Sequence, residues 1–313
     1  MHKESITSAQ NPKIKNLLLL QEKSKARREQ GLFVVEGQRE LEHCIEAGFT
    51  VRTVFVCPEI ADGVTEEGVA SQISGHPRPD KREGPAGCWD VGQTCLADGT
   101  TNSGRGRSEA EAICDAIPSA VKPLVIEIPE QLYRKVAYRG STEGIIAEVE
   151  YKSLKLDDLQ LPENPLIMVL ESVEKPGNLG AVLRSADAAG VDAVLFCDPL
   201  TDLYNPNLIR ASIGAVFTVP TVAVSSQEAI AFLQARGIQI LTAQLQDSSL
   251  YYDVDMRRGT ALVMGTESTG LTPLWRQAAS AHIRIPMLGR LDSLNVSVSA
   301  AILLFEAVRQ RQG

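Results

Sequence analysis

Residues 166–197 read LIMVLESVEKPGNLGAVLRSADAAGVDAVLFC, and this stretch decides the fold. Leu166 to Leu170 is an uninterrupted apolar run of strand length. Leu179 to Ala189 carries apolar residues at helical spacing and stops at Gly190. Ala193 to Cys197 is a second apolar run. Strand, helix and strand in that order make a βαβ unit, so the two strands are predicted to be parallel. Further along, Ile238 to Thr242, Ala261 to Met264 and Ile283 to Ile285 read as more buried strands. Ser225 with Glu228 forms a capping box for a helix ending at Gly237, and Leu294 to Arg309 reads as a closing helix. The expectation is an α/β domain whose parallel sheet is covered on both faces. Ligands of such sheets bind at the carboxyl ends of the strands.

The front half reads as a smaller α/β domain. Asn11 to Gln30 is predicted as one helix with Leu17, Leu18 and Leu20 on its apolar face, stopped by Gly31. Leu32 to Val35 and Val51 to Val56 read as strands flanking a helix from Arg39 to Ala47. Order resumes with strands at Leu124 to Ile128 and Gly144 to Val149. Between these, Ala61 to Pro118 is rich in Gly, Pro and charge and shows no periodicity, which predicts a flexible insertion over 61–120. Its Arg105 and Arg107 offer an alternative use as an RNA grip. The expected organisation is a domain over 1–150, a linker over 151–163 and a second domain over 164–313.

The chain has 313 residues and a net charge of −8, which argues mildly against nucleic acid until the distribution is considered. Lys13, Lys15, Lys23, Lys25, Arg27 and Arg28 cluster near the start with only Glu22 opposing. That run suits phosphate contact, with Lys13, Lys15, Arg27 and Arg28 as candidates, although taken alone a solvated helix face is the simpler reading. No apolar run reaches membrane-spanning length and no secretory signal is read, so a cytoplasmic protein without a membrane partner is expected. The 6 cysteines form no C-x-x-C pair. Reduced thiols are expected, and the spacing of Cys88, Cys95 and Cys114 fits no common zinc site, so no metal is assigned.

Three loops look chemical. The first, Pro176-Gly177-Asn178-Leu179-Gly180-Ala181-Val182-Leu183-Arg184, follows a strand and opens a helix. Asn178 suits a helix cap there, and Arg184 is a lone charge in an apolar helix. The second is Met264-Gly265-Thr266-Glu267-Ser268-Thr269-Gly270-Leu271, where a strand ends in a glycine-flanked acid. The third runs from Ile285-Pro286-Met287 to Ser293-Leu294-Asn295-Val296-Ser297-Val298-Ser299-Ala300, a helix start dense in hydroxyls and an amide. Ser and Asn weaken helix interiors, so the cluster either caps the helix or faces a ligand. Each loop alone also admits a plain structural explanation.

Taken in this order and spacing, the N-G-x-x-R, G-x-E-x-x-G-L and I-P-M…S-L-N-V-S-V-x-A blocks resemble the motifs of the SpoU (TrmH-like) branch of the SPOUT RNA methyltransferases. The front segments ITSAQNPKIKNL and FVVEGQRELEHCIEAG resemble that family's substrate-binding domain, which is similar to ribosomal protein L30e. The resemblance implies a SPOUT domain with a deep trefoil knot, an N-terminal L30e-like domain and an obligate homodimer with its active site at the subunit interface. It implies S-adenosyl-L-methionine as cofactor, contacted by Gly265, Ile285 and Leu294 through backbone atoms, with Ala243 and Met287 lining the pocket. It implies Asn178, Arg184, Glu267, Ser293 and Asn295 as the catalytic set. Ser268 departs from the family's glycine after the motif-two Glu, and residues 138–143 are not a clean match.

The implied reaction is methyl transfer to a ribose 2′-hydroxyl of structured RNA, with ribosomal RNA favoured over tRNA because of the added front domain. Arginine stays protonated, so Arg184 suits orienting the target rather than acting as a base. His2, His43, His76 and His282 all lie outside the motifs. Two other readings stand beside this one. One is a non-catalytic RNA-binding protein that keeps the fold. The other is a dinucleotide-dependent oxidoreductase, which the missing G-x-G-x-x-G disfavours.

Overall fold

The computed structural model describes residues 3–61, 123–138, 143–266, 268–290 and 293–312. Most of the segment read as an insertion, including Cys88, Cys95, Arg105, Arg107 and Cys114, lies outside the described residues, and so does Glu267.

The first half runs β1 (Lys3–Ser5), α1 (Pro12–Glu22), α2 (Ser24–Gln30), β2 (Leu32–Glu36), α3 (Gln38–Glu46), β3 (Val51–Val56), α4 (Pro58–Ala61), β4 (Leu124–Glu127), α5 (Glu130–Val136) and β5 (Ile145–Glu150). Its strands form a mixed sheet in the order β1-β4-β3-β5-β2. The single helix expected over Asn11 to Gln30 is in fact two. Lys23 is extended (φ −112°, ψ 109°) and breaks it. The cause is Arg27, whose guanidinium donates to the carbonyls of Leu20 (2.7 Å) and Gln21 (3.1 Å) and so satisfies the end of α1 from the next helix. Asn11 caps α1 by accepting from Lys13 N at 2.9 Å.

The second half runs β6 (Leu166–Glu171), α6 (Pro176–Ala188), β7 (Ala193–Cys197), α7 (Pro206–Ala211), α8 (Ala215–Thr218), β8 (Thr221–Val224), α9 (Ser226–Ala235), β9 (Gln239–Ala243), β10 (Ser249–Leu250), β11 (Thr260–Met264), α10 (Pro273–Ala278), β12 (Ala281–Arg284) and α11 (Val296–Gln312). The strands form one sheet in the order β10-β12-β9-β11-β6-β7-β8. Every neighbouring pair in it is parallel. Side chains alternate across it as a sheet buried on both faces requires. Leu166, Met168 and Leu170 join the core beneath α6 and α11, while Ile167 and Val169 join the core that holds α9 and Trp275. The capping box of Ser225 and Glu228 is present at α9.

The two sheets share one apolar core. Phe33 on β2 stacks on Tyr204 with ring centroids 4.2 Å apart, and Phe49, Tyr151 and Phe217 surround the pair. Beside this cluster Arg27 donates to Asp202 at 2.7 Å, with the two side chains only 2% and 6% exposed. Arg27 is therefore a buried pin between the two sheets' elements, which corrects its assignment as an RNA contact. Helix α7 packs so closely on α6 that a Cβ at Gly180 would lie 2.5 Å from Cβ of Ala211. Among the described residues, no helix is long and apolar enough to cross a membrane. Cys44, Cys57 and Cys197 are buried free thiols. Burial raises Cys57 to about 11 and lifts Cys44 and Cys197 as well.

Candidate active site

The carboxyl ends of β12, β9 and β11, neighbours in the sheet, open into one cavity of about 340 Å³. The loop after each strand forms part of its wall. Ala243 and Gln244 come from the end of β9, Gly265, Thr266, Gly270 and Leu271 from the loop after β11, and Ile285, Met287, Ser293 and Leu294 from the loop after β12. All five residues expected to meet a cofactor, Ala243, Gly265, Ile285, Met287 and Leu294, line this cavity. Ser293 lines it too.

Local chemistry fixes these loops. The loop after β11 turns back on itself through a bridge between Thr266 and Gly270. A Cβ at Gly265 would sit 2.3 Å from the carbonyl carbon of Gly270, so only glycine fits. Thr266 Oγ1 also accepts from Thr269 N at 3.1 Å. The far end of the loop is held by Glu171, a buried carboxylate at the end of β6. It accepts from Thr272 N (2.8 Å) and Thr272 Oγ1 (2.6 Å), at the N-terminus of α10. Trp275 Nε1 donates to Ser226 Oγ at 2.9 Å just beside it. Sequence reading missed this brace because its members are 101 residues apart.

The first and third motifs meet directly. Asn295 Nδ2 donates to Asn178 Oδ1 at 3.2 Å. Asn295 Oδ1 in turn accepts from Ser297 N (2.9 Å) and Ser297 Oγ (2.6 Å), capping the start of α11. Asn178 itself lies in the first turn of α6, whose N-cap is Lys175. Its expected role as that helix's cap is therefore corrected: its side chain reaches across to Asn295. Arg184 is exposed on α6 and lies outside the cavity wall. It borders a second, larger opening between the two halves, shared with Arg39 and Arg210. Glu267 lies outside the described residues, so its expected role is neither placed nor used.

Sequence reading also missed Gln244. Its Nε2 donates to Gln246 O at 2.9 Å, while its Oε1 is buried with no partner among the described residues. Gln244 lines the cavity, and its buried Oε1 is an acceptor left without a donor among the described residues. An adenosine bears such donors, and Met264, Ile283, Ile285, Met287 and Leu303 give the cavity apolar wall for a base. Arg276 adds a positive charge for a carboxylate. The residues present therefore fit S-adenosylmethionine. His282 stays a strand residue, its Nδ1 2.6 Å from Thr242 Oγ1. Among the described residues, no group of acidic, His or Cys side chains is arranged to hold a metal.

A parallel sheet with three strand-end loops converging on one cavity is the arrangement of an α/β cofactor-binding enzyme, and the lining suits S-adenosylmethionine. The model of the SpoU rRNA methylase family matches residues 165–305, and that of an MRM3-like substrate-binding domain matches residues 11–77. The chain is 40% identical over 246 residues to the 23S rRNA (guanosine-2′-O-)-methyltransferase RlmB of Xanthomonas axonopodis pv. citri, covering 72% of this chain and 97% of that protein. A crystal structure of an RNA 2′-O ribose methyltransferase superposes with a TM-score of 0.73 at 33% identity, over 99% of this chain and 100% of the other. An AdoMet-bound rRNA methyltransferase from Sinorhizobium meliloti gives 0.75 at 25% identity, over 98% of each chain. The chain belongs to the SpoU family of RNA methyltransferases.

Proposed function

We propose that this protein methylates the ribose 2′-hydroxyl of a guanosine in ribosomal RNA, using S-adenosylmethionine. The carrying observation is the strand-end cavity, which the second and third motif loops line together with Gln244. The guanosine and the ribosomal RNA follow from what the RlmB relatives act on. When bound, S-adenosylmethionine supplies a methyl group on a sulfonium, whose departure as a neutral thioether needs no acid. Gly265, Ile285 and Leu294 hold it through backbone atoms, Ala243 and Met287 wall it, and Gln244 accepts one of its donors. Asn178 and Asn295 lock α6 to α11, and Ser293 orders the approach to the cavity. Arg184 orients the target hydroxyl or its phosphate. Such positioning supplies up to roughly 7–11 kcal/mol of barrier reduction in favourable cases.

The working unit is a homodimer. Two features support this. Val298 and Phe305, one face of α11, are 47% and 49% exposed, an apolar stripe that a second copy would cover. Arg184 also lies outside its own protomer's cavity, so a partner's cavity is the natural place for it to act. The chain end is threaded as a trefoil knot. The sheet order supports this, since β12 returns to pair with β9 on the side opposite β11. Residues 1–150 form the L30e-like RNA-binding domain, 151–163 the linker and 164–313 the methyltransferase domain. Lys13, Lys15 and Arg28 contact RNA phosphates, and the enzyme works in the cytoplasm.

The test is transfer of tritiated methyl to ribosomal RNA, with nucleoside analysis of the product. Label recovered as 2′-O-methylguanosine is expected. Label on a base, or cofactor binding without transfer to any RNA, rejects the reading.

A further inference from the structure

The opening beside Arg184 is built like a reader of a nucleobase. Its larger lobe, about 690 Å³, is bordered by Arg39 on α3 and by Arg184 and Arg210 on α6 and α7. Its smaller lobe, about 190 Å³, is bordered by Glu36, Glu40 and Glu143. Glu40, Glu143 and Arg210 border both lobes, which lie side by side. Tyr138 walls the smaller lobe, its ring held by Asn207 Nδ2 donating to the phenol oxygen at 2.8 Å, with Arg210 6.0 Å from the ring centre.

The cleft is thus cationic at its mouth, aromatic on one wall and acidic inside. RNA is read in this way when an unstacked base lies against an aromatic ring and its edge meets polar groups. Phosphates belong at the arginines. A carboxylate only accepts hydrogen bonds, so the base edge it meets must donate. Guanine is the RNA base with two adjacent donors, N1–H and N2–H₂, on its Watson–Crick edge. Glu36 is already engaged by Tyr138 N at 2.7 Å, and Glu143 accepts from Gln38 N. Glu40, in the first turn of α3, borders both lobes and accepts from its own backbone N–H, which leaves its carboxylate further lone pairs to offer.

We propose that this cleft seats the guanine of the target nucleotide, with Glu40 accepting from N1–H and N2–H₂, Tyr138 stacking on the base, and Arg39 and Arg210 holding the flanking phosphates. The proposal rests on the guanosine methylation proposed above and names the residues that select the base. Burial foremost, and the charge of Glu143, raise the Glu40 carboxyl above its ordinary range. The bond from its own backbone N–H and the charge of Arg39 pull the other way.

The test compares ribosomal RNA fragments bearing guanosine or inosine at the methylated position. Inosine keeps N1–H and lacks only the N2 amine. Wild type is expected to favour guanosine in kcat/KM by about tenfold or more, the worth of a hydrogen bond to a charged group. Glu40→Gln brings the guanosine rate down toward the inosine rate, with cofactor affinity unchanged by calorimetry. Should Glu40→Gln fail to fold, Tyr138→Ala serves, since that ring is solvent-facing. It raises KM for both RNAs alike. Wild type that treats the two RNAs equally, Glu40→Gln with intact discrimination, or Tyr138→Ala with unchanged KM overturns the proposal. No methylation of any guanosine RNA by wild type instead defeats the functional reading beneath it.

Discussion

Replacing Arg27 with alanine separates two readings of the basic run near the start of the chain. The guanidinium donates to Asp202 at 2.7 Å and to two helix-end carbonyls at 2.7 and 3.1 Å, all in buried surroundings. Its loss strands Asp202, 6% exposed, with Tyr204 N at 3.0 Å and the Tyr151 hydroxyl at 3.4 Å as the remaining partners of its carboxylate among the described residues. Breaking a buried pair from one side costs about 3–5 kcal/mol. Arg28→Ala, one residue away and exposed, is expected to cost less than about 0.5 kcal/mol. Urea denaturation followed by tryptophan fluorescence and circular dichroism measures both. Adding Asp202→Asn to Arg27→Ala removes the stranded charge and is expected to recover part of the loss. RNA affinity should follow the opposite order, falling with Arg28→Ala while the folded fraction of Arg27→Ala binds normally. An Arg27→Ala protein as stable as wild type, but with weakened RNA binding, would refute the reasoning.

Other consequences follow from the site. Arg184→Ala should abolish methyl transfer while calorimetry finds cofactor binding intact, and near-normal turnover would reject its assigned role. Gly265→Ala should weaken cofactor binding at least about tenfold, or 1.4 kcal/mol, because its Cβ would collide with Gly270 at 2.3 Å. Mixing the Arg184→Ala and Gly265→Ala proteins should restore part of the activity if each site draws on two subunits, whereas a self-contained protomer leaves the mixture inactive. Phe305→Glu on the exposed stripe of α11 should give monomers in light scattering, and an unchanged mass would remove that face from the interface.

Some of this was legible in the sequence and some was not, for definite reasons. Strands β6, β7, β9 and β11 are buried on both faces, so their apolar runs stand out without any alternation to interpret. The three motif loops were legible only together, through an order and spacing that resemble a known family, because glycine, asparagine and serine in any one of them also serve turns and caps. By contrast, α7 and α8 are only 6 and 4 residues long, and α7 is seated by its close approach to Gly180, so no periodicity announces them. Arg27 looks like its basic neighbours until Asp202, 175 residues away, is brought beside it. Asn178 has a cap's chemistry, but its partner Asn295 is 117 residues distant. Gln244 reads as ordinary loop polarity, because an acceptor becomes orphaned only once the cavity closes around it.

Ribose methylation mapped across total ribosomal RNA, with and without this protein, tests the central assignment most directly. One guanosine should resist alkaline cleavage on its 3′ side when the protein is present, lose that protection when it is absent, and stay unprotected with Arg184→Ala. Identical maps in all three conditions would contradict it.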